Sequence, residues 1–152
     1  MPRNLDSWDG YPAEKKKIKN FILTKNLKNV VFLTGDTHAS WAIEVVSGDM
    51  KTYNPASSRG AYALEFGTTS ISSANDNEYK PTDTVKRMEN VLLSKNPHVK
   101  YLNDRDHGYM LITLYPGEVK TEWYYVETMR TVDPRERLEK QLRASSGSVQ
   151  LK

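Results

Sequence analysis

Residues 30–41 read VVFLTGDTHASW, and this stretch decides the fold class. Its first four residues are apolar at every position rather than at every second one. Such a run is typical of a strand that is buried on both faces inside a parallel or mixed sheet. The glycine and polar residues that follow indicate a loop at the carboxyl end of that strand. The stretch therefore predicts a strand and loop of an α/β sheet.

The segments around this strand extend the α/β pattern. Pro12 suits the first turn of a helix that we expect to reach about Leu27, because its missing N–H would be unpaired there in any case. A helix followed by a buried strand is half of an α/β unit. Apolar runs and helical periodicity predict further elements, which are strands over residues 41–46 and 61–66 and a helix over residues 83–95.

The last third of the chain predicts a hairpin and a terminal helix. Residues 108–115 and 118–126 alternate loosely across a Pro-Gly turn, which is typical of an antiparallel hairpin. The sequence Asp133-Pro134-Arg135-Glu136 has the pattern of a capping box and predicts a helix. We therefore expect three parts, which are a main domain over residues 1–132, a C-terminal helix over 133–144 and a disordered tail over 145–152.

Composition excludes several classes of protein. The 152 residues include 22 Lys and Arg against 19 Asp and Glu, a net charge of +3, and the two signs are interspersed. We therefore expect no specific binding of nucleic acid. No apolar run approaches the roughly 20 residues of a membrane span. The chain has no Cys, so a disulfide framework and a thiolate metal site of its own are excluded.

The segment Gly35-Asp36-Thr37-His38 carries the strongest chemical signal. It follows a strand directly, and ligands of open α/β sheets bind at the carboxyl ends of strands. If the backbone stays extended, Asp36 and His38 point to the same side, because side-chain direction alternates along a strand. A carboxylate and an imidazole suit cations such as Fe, Mn, Zn or Ca. The alternative is an Asp that caps a turn and a His that packs beside Trp41.

Five short motifs occur in one order along the chain, at residues 8–14, 35–41, 65–73, 96–101 and 108–109. They read WDGYPAE, GDTHASW, EFGTTSISS, NPHVKY and GY. In sequence, order and approximate spacing they resemble the alkaline phosphatase D type of metal-dependent phosphatases and phosphodiesterases. The resemblance covers nearly the whole chain.

The resemblance implies a calcineurin-like metallophosphoesterase fold, in which two packed mixed sheets flanked by helices hold metal ions at the strand ends. It implies Fe³⁺ and Ca²⁺ as cofactors, phosphate monoesters and diesters as substrates, and an exported location. Asp36 and His38 match the last metal motif of the family and are therefore expected to be metal ligands. Such metals polarise phosphoryl oxygens and lower the pKa of a bound water.

The chain also departs from the family. Those enzymes are several hundred residues long, and their other metal motifs, one with a Cys ligand, lie in an earlier half. This chain has three His, at positions 38, 98 and 107, and nothing that matches that half. We therefore expect a C-terminal portion of such an enzyme, inactive alone, whose metal site is completed by a missing N-terminal half or a partner chain. No secretory signal is expected in the chain itself.

Five further residues are candidates for the substrate pocket or for supporting the metal ligands, namely Asp9, Tyr11, Trp41, Asn96 and His98. Each has a plainer explanation, since residues 9–10 suit a turn before a helix and residues 96–98 suit a helix stop. Residues 70–73 are either a phosphate-binding loop or a polar connection. Residues 104–107 combine two Asp with a His, and we interpret them as a surface turn.

A second hypothesis for the function is a non-catalytic interaction module, or a degenerate fragment, that keeps the fold of a phosphatase. Both hypotheses share one consequence. If a neighbouring half is missing, the apolar strand at residues 30–33 lacks a partner and leaves an unpaired edge. We therefore expect the isolated chain to associate or to dissolve poorly.

Overall fold

The protein contains two β-sheets that share one core. The structure is a computed structural model that describes residues 5–48 and 50–152. Its α-helices and strands, in chain order, are α1 (Pro12–Thr24), β1 (Val31–Thr34), β2 (Ser40–Val46), β3 (Ala61–Gly67), α2 (Asp76–Tyr79), α3 (Thr82–Lys95), β4 (Val99–Asn103), β5 (Gly108–Tyr115), β6 (Glu118–Val126) and β7 (Glu136–Ser145), with short 3-10 helices at Trp8–Gly10 and Met50–Thr52. The expected mixed α/β class is confirmed.

The first sheet is mixed and has the strand order β1-β3-β2-β4. β1 runs parallel to β3, whereas β2 is antiparallel to both β3 and β4. The carboxyl ends of β1, β3 and β4 and the start of β2 therefore lie along the same side of the sheet, where the strands begin or end. We call this side, formed by residues 35–39, 68–75 and 104–107, the loop edge.

The second sheet is antiparallel and has the order β5-β6-β7. Its first two strands form the hairpin that the sequence predicts, with the expected bounds. The buried side chains of this sheet, Trp123, Tyr125, Leu142 and Ala144, pack against Ala42, Leu64 and Phe66 of the first sheet. One hydrophobic core thus lies between the two sheets.

The predicted terminal helix is wrong, because residues 136–145 form the strand β7, which pairs with the free edge of β6. Leu142 and Ala144 are both buried, so the period of burial is two, as in a strand. Asp133 accepts a hydrogen bond from the N–H of Arg135 and so stabilises a turn before the strand. Pairing with β6 outweighs the local signals that favour a helix, as tertiary contacts commonly do.

The predicted disordered tail is also wrong. The N–H and the C=O of Lys152 both bond to the backbone of Arg143, at 3.0 and 2.9 Å. Val149 and Leu151 pack against the core. Residues 145–152 are therefore an ordered return of the chain along β7, and their Ser and Gly content reflects a turn.

β1 differs from the prediction in its position in the sheet. In the described part of the chain it pairs with β3 alone, and the side chain of Leu33 is 62% exposed. An apolar run cannot distinguish a central strand from an edge strand, because the two differ only in what lies beside them. The expectation of an unpaired apolar edge is confirmed, whereas burial on both faces is wrong. None of the helices in the described ranges is long and apolar enough to cross a membrane.

A buried carboxylate ties the last residues of the chain to the first sheet. Glu44 on β2 is fully buried. Its side chain accepts hydrogen bonds from the hydroxyl of Tyr53 and, at 3.0 Å, from the N–H of Leu151. The ammonium group of Lys100 lies 3.6 Å away. Burial, and then the Glu44 acceptor, raise the pKa of Tyr53 well above its usual value, so the phenol remains a donor.

Removal of the Tyr53 hydroxyl tests the importance of this carboxylate. Tyr53→Phe leaves Glu44 buried with one donor fewer, and we expect the free energy of unfolding to fall by about 1–3 kcal/mol. Urea denaturation followed by circular dichroism measures it. Tyr79→Phe is the matched control, because Tyr79 is 77% exposed. Equal stability of the two variants would contradict the prediction.

A charge on β1 tests the open edge. Leu33→Lys places a charged side chain on the edge strand β1 and is expected to reduce self-association of the chain. Sedimentation velocity at several protein concentrations measures this. Val132→Lys, at a fully exposed loop position, controls for the added charge. A parent chain that is monomeric at every concentration would contradict the prediction, because the open edge of β1 would then not cause self-association.

Candidate functional site

The loop that follows β1 has an unusual backbone. Asp36 and His38 both lie in the left-handed region, with φ of 70° and 56°. The N–H of Thr37 donates to the C=O of Gly35 at 2.8 Å, so the chain turns tightly between them. The extended backbone on which the sequence argument relied is therefore absent here. Left-handed residues other than glycine are strained, and such strain concentrates at functional sites.

Two neighbouring segments hold this loop in place. The indole N–H of Trp41 donates to the hydroxyl of Thr37 at 3.0 Å. The hydroxyl of Thr69 donates to the C=O of His38 at 3.0 Å. The loop is thus attached to the start of β2 and to the segment after β3, which come together at the loop edge only in the folded chain.

The ring of His38 has a defined orientation. Its Nδ1 lies 2.8 Å from the C=O of Ala74. A carbonyl oxygen can only accept, so Nδ1 carries the proton and the neutral ring keeps its lone pair on Nε2. Histidines that bind metals are commonly oriented by a bond of this kind. A neutral His38 in this orientation thus presents the lone pair of Nε2 rather than that of Nδ1.

Asp36 lies beside an open cavity of about 840 Å³ between α1 and the loop edge. Tyr11 and Trp41, two of the sequence candidates, line the same cavity, together with Trp8. The lining residues that the structure describes include four carboxylates, Asp6, Glu14, Asp36 and Glu65, and no Lys or Arg. The cavity is therefore aromatic and acidic. His38 is not one of its lining residues.

The remaining sequence candidates lie elsewhere. Asp9 pairs with Lys15 at 3.0 Å on the exposed start of α1. The side-chain amide of Asn96 donates to the C=O of Leu92 at the end of α3, which supports its interpretation as a helix stop. His98 precedes β4 at the edge of the sheet opposite the loop edge. Burial and the charge of Lys100 lower the pKa of His98.

The segment over residues 104–107 is not the surface turn that the sequence predicts. His107 is only 6% exposed. Its Nε2 lies 3.0 Å from a carboxylate oxygen of Glu78, and its Nδ1 lies 3.1 Å from the C=O of Ser70. Arg105 pairs with the buried Glu89 at 2.9 Å. Sequence reasoning missed these contacts because the partners are far apart in the chain and no local pattern marks them.

The hydroxyl of Ser70 is used within its own loop. It donates to the C=O of Ser73 and its oxygen also lies 3.2 Å from Nδ1 of His107. Of the two interpretations left open for residues 70–73, the polar connection agrees with these bonds.

The fold and the site together define a class of protein. Two packed sheets, with a cavity and an oriented histidine at the strand ends of the mixed sheet, define an α/β protein, and proteins with open α/β sheets commonly bind ligands at strand ends. A sequence model of the family described as PhoD-like phosphatase matches residues 1–123. The chain belongs to the PhoD-like phosphatase family, which confirms the resemblance carried by the five motifs.

Two known proteins show the extent of the similarity. Alkaline phosphatase D of Bacillus subtilis (strain 168) is 41% identical over 120 residues, which are 79% of this chain and 19% of that protein. A solved structure described as the structure of PhoD superimposes with a TM-score of 0.73 and 34% identity, over 97% of this chain and 26% of the other. The chain thus spans about a fifth of the curated relative and about a quarter of the solved one.

The strain at Asp36 can be measured. Asp36→Gly removes the cost of a left-handed residue, partly offset by the greater freedom of glycine when unfolded, so we expect stability equal to the parent or up to about 1 kcal/mol higher. Asp36→Ala is expected to be about 1 kcal/mol less stable than the parent. Urea denaturation measures both. Asp83→Gly, in the first turn of α3, is the control and should be destabilised. An Asp36→Gly protein less stable than Asp36→Ala would refute the strain.

Proposed function

We propose that this chain is the C-terminal portion of a metal-dependent phosphate-ester hydrolase of the alkaline phosphatase D type. In this proposal Asp36 and His38 form one side of a metal centre, and the chain is inactive by itself. The carrying observation is the 2.8 Å contact of His38 Nδ1 with the C=O of Ala74, an orientation in which Nε2 would be the nitrogen that binds a metal. Orienting a histidine in this way serves a ligand.

The charge of the cavity supports a metal. A phosphate ester is an anion, and the carboxylates that line the cavity disfavour its entry, although one of them, Glu14, is paired with Lys17. Bound cations reverse this field, because they are the largest local charges in such sites. The resemblance implies Fe³⁺ and Ca²⁺; an imidazole suits iron, and a carboxylate suits calcium. When bound, such ions polarise the phosphoryl oxygens and lower the pKa of a bound water.

The number of ligands supports the incomplete site. Catalytic metal sites usually have at least three protein ligands. Within residues 5–48 and 50–152 there is no group of three or more His, Cys, Asp or Glu that could hold a metal. The chain also spans only 19% of the Bacillus protein. The missing ligands would therefore come from an N-terminal half or a partner chain, which would approach the cavity and the open edge of β1.

The chain's own residues would receive the substrate. The exposed rings of Trp8 and Tyr11, with Trp41, line the cavity next to Asp36 and offer apolar contact to the alcohol part of an ester. Asp36 and the oriented His38 would hold the cation on one side. Phosphomonoesters and phosphodiesters are both proposed substrates, since the resemblance implies both.

A second candidate is a non-catalytic interaction module. The open edge of β1 favours it, as do the rings of Trp8 and Tyr11, which are 51% and 55% exposed in the described chain, because exposed apolar groups can mark interaction sites. The two candidates differ in whether Asp36 and His38 are needed once the site is complete.

Segment replacement tests the proposal. Residues 1–123 of this chain replace the matching segment of the Bacillus alkaline phosphatase D, and hydrolysis of p-nitrophenyl phosphate and bis-p-nitrophenyl phosphate is measured. We expect the chimera to be active and the chain alone to be inert. In the chimera, Asp36→Asn and His38→Gln should each lower the rate about 100-fold or more, since even residues that only support metal ligands cost 10–100-fold.

His98→Gln in the same chimera is the matched control. It removes a histidine at the opposite edge of the sheet, and we expect the rate to stay within about twofold of the chimera. Metal content is measured for each variant by mass spectrometry. Turnover and bound metal in the chain alone, both abolished at Asp36 and His38, would refute the incomplete site. A folded chimera that is inert would favour the interaction module.

A further inference from the structure

His107 joins the two ends of the loop that orients His38. Its ring lies between Ser70, at the start of this loop, and Glu78, at its end. The ring is almost fully buried, and Nδ1 and Nε2 each meet an oxygen atom at 3.1 and 3.0 Å. We call the loop over residues 70–78, with the His107 ring across it, the clasp.

Both partners of the ring accept hydrogen bonds. The C=O of Ser70 can only accept, and the hydroxyl of Ser70 is already donating to Ser73. Burial would raise the pKa of Glu78, but the N–H of Asn75 and the His107 ring outweigh it and hold that pKa below its usual value. Glu78 is therefore a carboxylate at neutral pH. Both nitrogens of the His107 ring therefore face an acceptor, so the ring lies across the two ends of the loop.

The clasp contains the atom that orients His38. The C=O of Ala74, which accepts from Nδ1 of His38, lies near the middle of the loop. The next residue, Asn75, caps α2, and its own N–H donates to Glu78 at 2.7 Å. Glu78 thus binds the backbone beside Ala74 and the ring of His107 at the same time. Movement of Glu78 would move the carbonyl that faces His38.

The second sheet anchors the ring. The N–H of Val126 on β6 donates to the C=O of His107 at 2.9 Å. Gly108 follows, and a Cβ at that position would lie 2.0 Å from the C=O of Tyr124, so the backbone passes β6 too closely for any other residue. His107 is therefore fixed to the second sheet, whereas the loop that it holds belongs to the first.

We propose that His107 is a positioning residue for His38: its ring holds the ends of the clasp, keeps the Ala74 carbonyl against Nδ1 of His38, and so leaves Nε2 free for a metal. The inference rests on the proposed role of His38 as a ligand. In this inference His107 is not itself a ligand of the metal. It acts on His38 through the C=O of Ala74.

The test reads the tautomer of His38 directly. Imidazole ¹⁵N–¹H correlation spectra of the whole metal-free chain, at a pH where His38 is neutral, distinguish the Nδ1–H form from the Nε2–H form. The chain has three histidines, so single His→Gln variants assign each signal. We expect the Nδ1–H form in the parent. We expect His107→Ala and Glu78→Ala to shift His38 toward the Nε2–H form, since each breaks the clasp from a different side.

A core variant separates positioning from loss of stability. Leu142→Ala removes a buried side chain of β7 whose core cluster includes no residue of the clasp, and it is expected to lower stability without changing the tautomer of His38. Glu78 lies on the surface, so Glu78→Ala remains informative if His107→Ala does not fold. An Nε2–H signal in the parent, or an unchanged tautomer in both clasp variants, would overturn the inference.

The two experiments distinguish failure of the clasp from failure of the proposed function. An active chimera that His38→Gln inactivates, combined with an unchanged tautomer in the clasp variants, would reject the clasp alone. A shifted tautomer in the clasp variants, combined with full activity of the His38→Gln chimera, would reject the metal role of His38 and leave the clasp as a device that orients its ring.

Discussion

The structure depends on the contact that Trp123 makes between its two sheets. The ring is fully buried, lies edge-on to Phe66 at 5.9 Å, and donates from its indole N–H to the C=O of Gly67 at 2.9 Å. Gly67 is the last residue of β3, directly at the loop edge. One side chain of the second sheet thus fills the core and holds the strand end from which residues 68–75 begin. Hydrophobic packing and a buried hydrogen bond act at the same point.

The loop edge combines backbone strain with a network of side-chain hydrogen bonds. The left-handed backbone at Asp36 and His38 persists because Trp41, Thr69 and Ala74 hold the loop from three directions. Such strain persists only where the surroundings enforce it. Satisfied polar networks make their members rigid, and in the proposed function this loop supplies one half of a metal site. The open edge of β1 and the acidic cavity lie on the side where the other half would approach.

Local patterns were reliable wherever neighbouring residues decide the structure. The hairpin of β5 and β6 was predicted with its bounds because alternation and a Pro-Gly turn act over a few residues. β7 was predicted as a helix, since its capping pattern favours a helix until the edge of β6 competes. β4 was missed, because its sequence VKYLN is neither apolar at every position nor strictly alternating. His107 was assigned to the surface, although its partners Ser70 and Glu78 bury it from 37 and 29 residues away.

The sequence by itself determined the α/β class, the family resemblance and the position of Asp36 and His38 directly after a strand, because these follow from residue types and short spacings. The tertiary structure alone decided which candidates meet. Tyr11, Trp41 and Asp36 line one cavity, whereas His98 lies at the opposite side of the sheet. The ring of His38 is oriented by the C=O of Ala74, which is 36 residues away in the chain. The physical reason is that strand order and register bring distant residues together, and a hydrogen bond depends on that geometry rather than on distance along the chain.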